Sequence, residues 1–367
     1  MSMAKVFFTD FRTVNQENVL AKLKRLVHTA GIETINFNKK FTAIKIHFGE
    51  PGNVAYLRPN YIKTIADYIK ELGGVPFLTD CNTLYIGRRK NAIEHISSAY
   101  ENGFNPFATG CHVLIGDGLK GTDDVNVPIN GKHVKEAKIG RGIMDADIFL
   151  SITHFKGHRM TGFGGALKNI GMGCGSRGGK MEMHYAGKPR VNPEKCVSCG
   201  TCYRNCAFRA ISFVDKKAFI NTDICVGCGR CIGSCNYDAI QPINNNSNVI
   251  LNERIAEYAY AVVKDRPHFH ISLVMDVSPL CDCLAENDVA IVPDIGMLAS
   301  FDPVSLDQAC VDLVNAAPVV ENSLLGESEN LHNDHFTNLF PDTDWESCLS
   351  HAEVIGLGER SYDLVKI

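Results

Sequence analysis

The 367-residue chain contains no uninterrupted apolar run of about eighteen residues, so no membrane-spanning helix is expected. It has no basic excess. Lys plus Arg number 37 against 41 Asp plus Glu, a net charge of −4, which leaves no footprint for nucleic acid or an anionic membrane. Met1 to Arg12 lacks the apolar core of an export signal, because Asp10 and Arg12 interrupt it. No G-x-G-x-x-G follows the first predicted strand, which argues against a dinucleotide site of that kind, and no Gly-Lys-Ser/Thr phosphate loop is present. A flavin is not excluded. Low complexity is confined to the Asn-rich stretch Asn244 to Asn248.

Cysteine, by contrast, is abundant: the chain has 15. A disulfide scaffold is not the explanation, because the chain is long and 45% hydrophobic, enough for a sizeable core. Eight of the cysteines fall in two copies of C-x2-C-x2-C-x3-C: Cys196, Cys199, Cys202 and Cys206, then Cys225, Cys228, Cys231 and Cys235. That is the ligand spacing of bacterial-type [4Fe–4S] sites, in which the fourth cysteine of each run reaches the other cluster. The expected sets are therefore Cys196, Cys199, Cys202 with Cys235, and Cys225, Cys228, Cys231 with Cys206. Zinc usually takes two close cysteines and a distant pair, whereas here four crowd together twice. Gly200, Gly227 and Gly229 lie between ligands, where φ > 0 lets backbone N–H groups turn toward sulfide. Two-cluster ferredoxins usually carry Pro after the fourth cysteine; this chain has Ala207 and Asn236 there. Thiolate ligation argues for a reducing cytoplasm, and this many thiolates favour an anaerobe.

Around the cysteines the chain alternates strand and helix. Strands are expected at residues 4–9, 41–48, 75–79, 112–115, 146–152, 269–275 and 289–292. Helices are expected at 15–30, 59–72, 89–102, 252–264 and 303–314, with a last one opened by a Thr343-to-Glu346 capping box. This is the pattern of an α/β fold with a largely parallel sheet and flanking helices. Pro189 and Pro193 mark the entry to the cysteine segment and the Asn-rich stretch its exit. The expected organisation is an α/β domain in two parts, 1–187 and 249–367, interrupted by a small α+β ferredoxin-like domain at 188–248.

Polar residues gather after six predicted strands, where open α/β sheets place ligands. They are His47 to Asn53, Thr79 to Tyr85, Gly116 to Gly118, Thr153 to His158, Asp276 to Cys283 and Pro293 to Gly296. His154, Lys156 and His158 are candidate catalytic residues for proton donation or anion binding. His154 and His158 share a face if their loop is helical. Cys174, His184, Cys281 and Cys283 are candidates for a second metal or substrate site; in an extended Cys281-Asp282-Cys283 both thiols point the same way. The glycine-rich run Thr161 to Cys174 reads either as an anion cradle, with Lys156 or Lys168 adding charge, or as tight turns and close packing. Cys111, Cys310 and Cys348 read as core residues.

His47-Phe48-Gly49-Glu50, Thr79-Asp80, His154-Phe155-Lys156-Gly157-His158, Gly162 to Asn169, Met172-Gly173-Cys174 and Pro279-Leu280-Cys281-Asp282-Cys283 resemble the motifs of the domain-of-unknown-function 362 family. The resemblance runs nearly end to end and includes an inserted ferredoxin-like module. It implies a cytoplasmic iron–sulfur protein of anaerobic bacteria or archaea and gives no established reaction. A fainter similarity, in paired histidines and a lysine at strand ends, is to nickel-pincer lactate racemase. The expected function is electron transfer: two [4Fe–4S] clusters passing electrons to or from a substrate, metal or cofactor at the strand ends, with a redox partner protein or small-molecule acceptor. The alternatives are a metallocofactor carrier or assembly factor, and a non-redox enzyme with structural clusters.

Overall fold

The computed structural model describes the chain except residues 1–2, 15–16, 86, 185–187, 226, 228, 243–247 and 329–331. The first part lays down β1 (Ala4–Asp10), α1 (Val19–Thr29), β2 (Phe41–Lys45), α2 (Pro59–Glu71), β3 (Val75–Asp80), α3 (Ala92–Glu101), the short α4 (Pro106–Thr109) and β4 (Val113–Ile115). A hairpin of β5 (Asp124–Pro128) and β6 (Glu136–Gly140) follows, then the single turn α5 (Arg141–Met144) and β7 (Ile148–His154). A second hairpin, β8 (Lys156–His158) with β9 (Gly162–Gly164), leads into α6 (Ala166–Cys174) and α7 (Arg177–His184). The cysteine-rich segment contains β10 (Pro189–Val191), α8 (Thr201–Asn205), β11 (Ile211–Val214), β12 (Lys217–Ile220), α9 (Arg230–Ser234) and β13 (Ile240–Pro242). The chain ends with α10 (Asn248–Val263), β14 (His268–Val274), β15 (Gly296–Ser300), α11 (Pro303–Asn315), α12 (His335–Leu339), α13 (Glu346–Val354) and β16 (Tyr362–Lys366).

Eight strands form one sheet in the order β16-β1-β15-β14-β7-β2-β3-β4. All its pairings are parallel except the two made by β15, which runs against β1 and β14. Alternation along the strands feeds two apolar layers. In β7, Ile148, Leu150 and Ile152 face the layer built with α1 and α2, while Phe149 faces the layer built with α6, α10, α11 and α13. No helix among the described residues is long and apolar enough to cross a membrane.

The expected α/β class with a largely parallel sheet is what the chain adopts, with three local differences. Residues 289–292 form no strand: Asp288 takes a left-handed φ of 64° and Pro293 follows, so Ile291 and Val292 are buried as loop and the strand starts at Gly296. Helix α1 starts at Val19, capped by Asn18, whose side chain accepts from Leu20 and Ala21 N–H (3.0 Å each); Asn15 and Gln16 lie outside the described residues. The capping box at α13 does not form. The Asp344 carboxylate accepts the Ser347 N–H (3.0 Å), and the Thr343 hydroxyl donates instead to the Phe340 carbonyl (2.7 Å).

The cysteine segment has its own small apolar cluster, with Ile211, Ala218, Ile220, Ile232 and Ile240 packed among cysteines, and it takes in Leu84 and Met181 from the surrounding chain. Strands β10 and β13 pair antiparallel and bring its two ends together. The two halves repeat further than the cysteine frames. Asn192 and Asn221 each open a half, their side chains accepting from the N–H two residues on. Each half ends with an alanine N–H donating to the fourth cysteine: Ala210 to Cys206 Sγ and Ala239 to Cys235 Sγ, both 3.3 Å.

The closest helix packing is α6 on α10. A Cβ built on Gly171 would lie 2.2 Å from the Ile255 carbonyl oxygen. Gly171→Ala is therefore expected to cost about 2 kcal/mol through overpacking, read as a lowered urea midpoint. An unchanged midpoint would show that these helices have slack to separate.

Candidate functional site

A cavity of about 350 Å³ opens at the C-terminal rim of β2, β3 and β7. Six cationic side chains line it: Lys45, Arg89, Lys156, Arg159, Lys168 and Lys180. Asp80 is the single acid on its wall among the described residues. Four of the six predicted strand-end segments supply lining, through His47, through Asp80, Cys81 and Thr83 to Tyr85, through Lys156 with His158, and through Cys281 with Cys283. The other two act from behind. The Asp117 carboxylate, held up at about 6 by burial, accepts from Asn82 N–H and Nδ2, and the Asp294 carboxylate accepts the Asp276 N–H.

The buried Asp282 carboxylate organises the floor. One oxygen faces His154 Nδ1 at 2.8 Å and the other pairs with Lys156 Nζ at 3.3 Å. These two partners hold Asp282 far below the usual carboxylate range, His154 first, although burial opposes them. The second ring nitrogen of His154 meets the Met275 carbonyl at 2.8 Å, so both nitrogens donate and neither lone pair is left for a metal. His154 does not line the cavity; it braces the loop that does. Lys156 and His158 do line it. The two histidines do not share a helical face, because β7 ends at His154 and β8 carries Lys156 to His158 as a strand.

His158, Cys281 and Cys283 converge, with donor atoms within 4.8 Å of one another, a set that a soft metal could share. The Cys281-Asp282-Cys283 backbone turns rather than extends, and the thiols still meet. A hydrogen bond from Cys283 pulls the Cys281 thiol well down against its burial, with Lys168 and Lys156 adding to the effect. The same bond pushes Cys283 up. Lys168 Nζ sits 3.7 Å from Cys281 Sγ. Burial keeps His158 neutral, and keeps His184, on the cavity wall with Lys168 and Lys180 nearby, down at about 3. Cys174 is not in the lining; burial pushes its thiol up to about 12.

The glycine-rich run forms β9 and α6. Its first helical N–H groups are taken internally, since the buried Asp307 carboxylate accepts from Ala166 (2.6 Å) and Leu167 (2.9 Å). The packing reading therefore describes these amides, while Lys168 carries charge into the cavity as the alternative reading had it. Gly173 makes room for Lys45, whose Nζ would lie 2.4 Å from an added Cβ.

The cavity cations that sequence reasoning missed are Lys45, Arg89, Arg159 and Lys180. Lys45 is fully buried and pairs with Asp80 at 3.1 Å; a lysine inside an otherwise apolar strand was the available signal. Arg89 is clamped between Glu50 (2.8 Å) and His47 Nε2 (2.9 Å). Lys180 donates to the Gly175 carbonyl (2.7 Å) beyond the end of α6.

The cysteine frames form two small cradles. Cys196, Cys199, Cys202 and Cys235 line one; Cys206, Cys225 and Cys231 line the other. Cys228 lies outside the described residues. Gly200, Gly227 and Gly229 have φ of 75°, 74° and 66°. Helix α7 stands between the second cradle and the cavity. Arg177 and Met181 pack on Gly229, where an added Cβ would meet them at 2.7 and 3.3 Å, while Lys180 and His184, one helical turn apart on the adjacent face, line the cavity.

Asp282→Asn leaves Lys156 and His154 facing a neutral amide in a buried site. It is expected to cost about 3–5 kcal/mol at neutral pH in chemical denaturation. The depressed folded-state pKa means that this stabilisation is present above the unfolded carboxylate value and is lost on acidification below about pH 4. The variant should lose part of that acid slope; an identical slope would place the acid-labile group elsewhere.

Over 82% of this chain and 59% of the other, at 15% identity and a TM-score of 0.42, the fold is similar to a structural-genomics protein from Thermotoga maritima, so the chain spans well under two thirds of that protein. It is also similar, at 9% identity over 99% of this chain and 83% of the other with a TM-score of 0.45, to the lactate racemase apoprotein from Thermoanaerobacterium thermosaccharolyticum. No functionally curated protein matches. A family model matches residues 42–312, which carry the sheet centre, the cavity and the cysteine segment together, and the chain belongs to that family, described as domain of unknown function (DUF362).

Proposed function

We propose that this chain is an iron–sulfur electron-transfer protein acting on a small anionic substrate in the cationic cavity. In this reading residues 188–248 are an inserted ferredoxin-like domain. Cys196, Cys199, Cys202 and Cys235 hold one [4Fe–4S] cluster; Cys225, Cys228, Cys231 and Cys206 hold the other. The donor chemistry supports this: seven of the eight cysteines are among the described residues and line two cradles, and Ala210, Ala218 and Ala239 aim backbone N–H groups at Cys206, Cys196 and Cys235 Sγ. Such clusters, when bound, exchange single electrons at low potential. Thiolate ligation favours a reducing cytoplasm, and the reading calls for a redox partner protein or small-molecule acceptor.

The observation that carries the reading is α7, one helix that touches the second cysteine loop and the cavity at once. A helix is about 10 Å across, so the thickness of one helix separates cradle and cavity. The chain's own residues do the rest. Lys168, Arg159 and Lys180 attract the anion, and the Asp282–Lys156 pair places an ammonium where a carboxylate or phosphate oxygen would rest. Neutral His158 and His184 sit beside it as proton-transfer groups.

Two measurements test this. Anaerobically reconstituted protein should hold about eight iron atoms per chain. The double variant Cys206→Ser/Cys225→Ser should keep about four, and Cys206→Ser/Cys196→Ser close to none, since the crossed sets predict one site lost in the first case and two in the second. Equal losses in both would overturn the crossed assignment. A panel of small carboxylates and phosphates should include one that reoxidises the reduced protein, and Lys168→Met should slow it about tenfold or more. Failure of every anion, with both clusters intact, would sink the cavity as the electron-accepting site.

A further inference from the structure

The thiol pair on the cavity wall is not used by that reading. We propose that Cys281 and Cys283 are a redox-active dithiol that reduces an anionic organic disulfide bound in the cavity. The two sulfurs and a His158 ring nitrogen lie within 4.8 Å of one another. Lys168 Nζ, 3.7 Å from Cys281 Sγ, marks Cys281 as the sulfur whose negative charge the site compensates.

One observation favours a dithiol over a resident metal ion. The Lys168 ammonium lies 3.7 Å from Cys281 Sγ, and a divalent cation on that sulfur would sit against it. The loop holds the His158 ring, with the Met160 N–H at 3.2 Å, the Thr161 N–H at 3.1 Å and the Thr161 hydroxyl at 2.9 Å from Nδ1.

The chemistry closes. The Cys281 thiolate attacks one sulfur of the substrate disulfide, R–S–S–R, breaking its S–S bond and releasing R–S⁻. The mixed disulfide on Cys281 is then attacked by Cys283 Sγ, whose proton goes to the second leaving R–S⁻. The protein now holds a Cys281–Cys283 disulfide; the substrate, two electrons richer, has left as one thiolate and one thiol. Two single-electron transfers from a low-potential iron–sulfur donor, with one proton, restore the Cys281 thiolate and the Cys283 thiol. Only this return step rests on the iron–sulfur reading; the exchange half does not.

The experiment uses the full chain with its clusters, anaerobically, and two probes: dithiobis(nitrobenzoate), which carries a carboxylate on each half, and uncharged dithiodipyridine. Peptide mass mapping of wild type should show a Cys281–Cys283 disulfide and no adduct. Cys283→Ser should trap the thionitrobenzoate adduct on Cys281, and Cys281→Ser should leave Cys283 without one. Lys168→Met should slow the dianionic probe about tenfold more than the neutral one. An adduct on Cys283 in place of Cys281, or equal slowing of both probes, would overturn the assignment. So would a non-iron metal, one per chain, that shields both cysteines until a chelator removes it. Wild-type mapping needs no variant to fold, and a formed disulfide with inert clusters would leave this proposal standing while the electron-transfer reading fell.

Discussion

Buried positive charge is the constraint around which this molecule is arranged. Lys45, Arg89 and Lys156 are almost wholly buried, and each has a carboxylate: Asp80, Glu50 and Asp282. An unpaired charge at such depth would deprotonate or unfold the site. The partners come from distant parts of the chain, so neutralising the lysines also fixes the fold. Asp282 ties the loop after β14 to the end of β7 and to β8; its carbonyl also accepts the Glu50 N–H at 2.8 Å, which draws in the loop after β2. The cavity is what remains at the centre of these ties, walled by cations whose compensation, Asp80 apart, lies behind them.

How much of this was readable in advance follows from how local each feature is. Cysteine spacing is local, so the two frames and the glycines between them could be read directly; among the described residues Cys196, Cys199, Cys202 and Cys235 line one cradle and Cys206, Cys225 and Cys231 the other. Helices with clear periodicity and caps, such as α2 and α11 with its Asp302 cap, could also be read. Strand β15 could not. Gly-Met-Leu-Ala-Ser contains no β-branched residue, while Val289 to Val292 advertises a strand that Asp288 and Pro293 prevent. The rim survived that error because β15 runs antiparallel, which brings its first residues to the same end of the sheet. Lys45 and Arg89 were hidden for a different reason: their significance lies in partners supplied by tertiary contact.

The cysteine segment is built twice from one plan, and the copies differ where they touch the rest of the chain. Arg204 follows Cys202 by two residues and turns back to the Cys199 carbonyl, whereas the second copy has Gly233 after Cys231. Any side chain at Gly233 would collide with the Arg177 guanidinium. Lys90 reaches Asp238 at 2.5 Å and Lys120 reaches Asn205 at 2.7 Å, so polar ties flank the apolar contact through Leu84 and Met181. The outward copy keeps charge; the inward copy has been stripped to glycine.

The strand order also sets a timetable for synthesis. β2, β3, β4 and β7 are neighbours in space and leave the ribosome early, so half of the sheet can assemble at once. β1 is made first of all, yet its sheet partners, β15 and β16, are among the last strands made. The cysteine loops therefore emerge while the nascent protein is still half a sheet. The residues that pack against them, Leu84, Lys90, Lys120, Arg177 and Met181, have by then been made, so the loops emerge beside the half of the molecule that receives them.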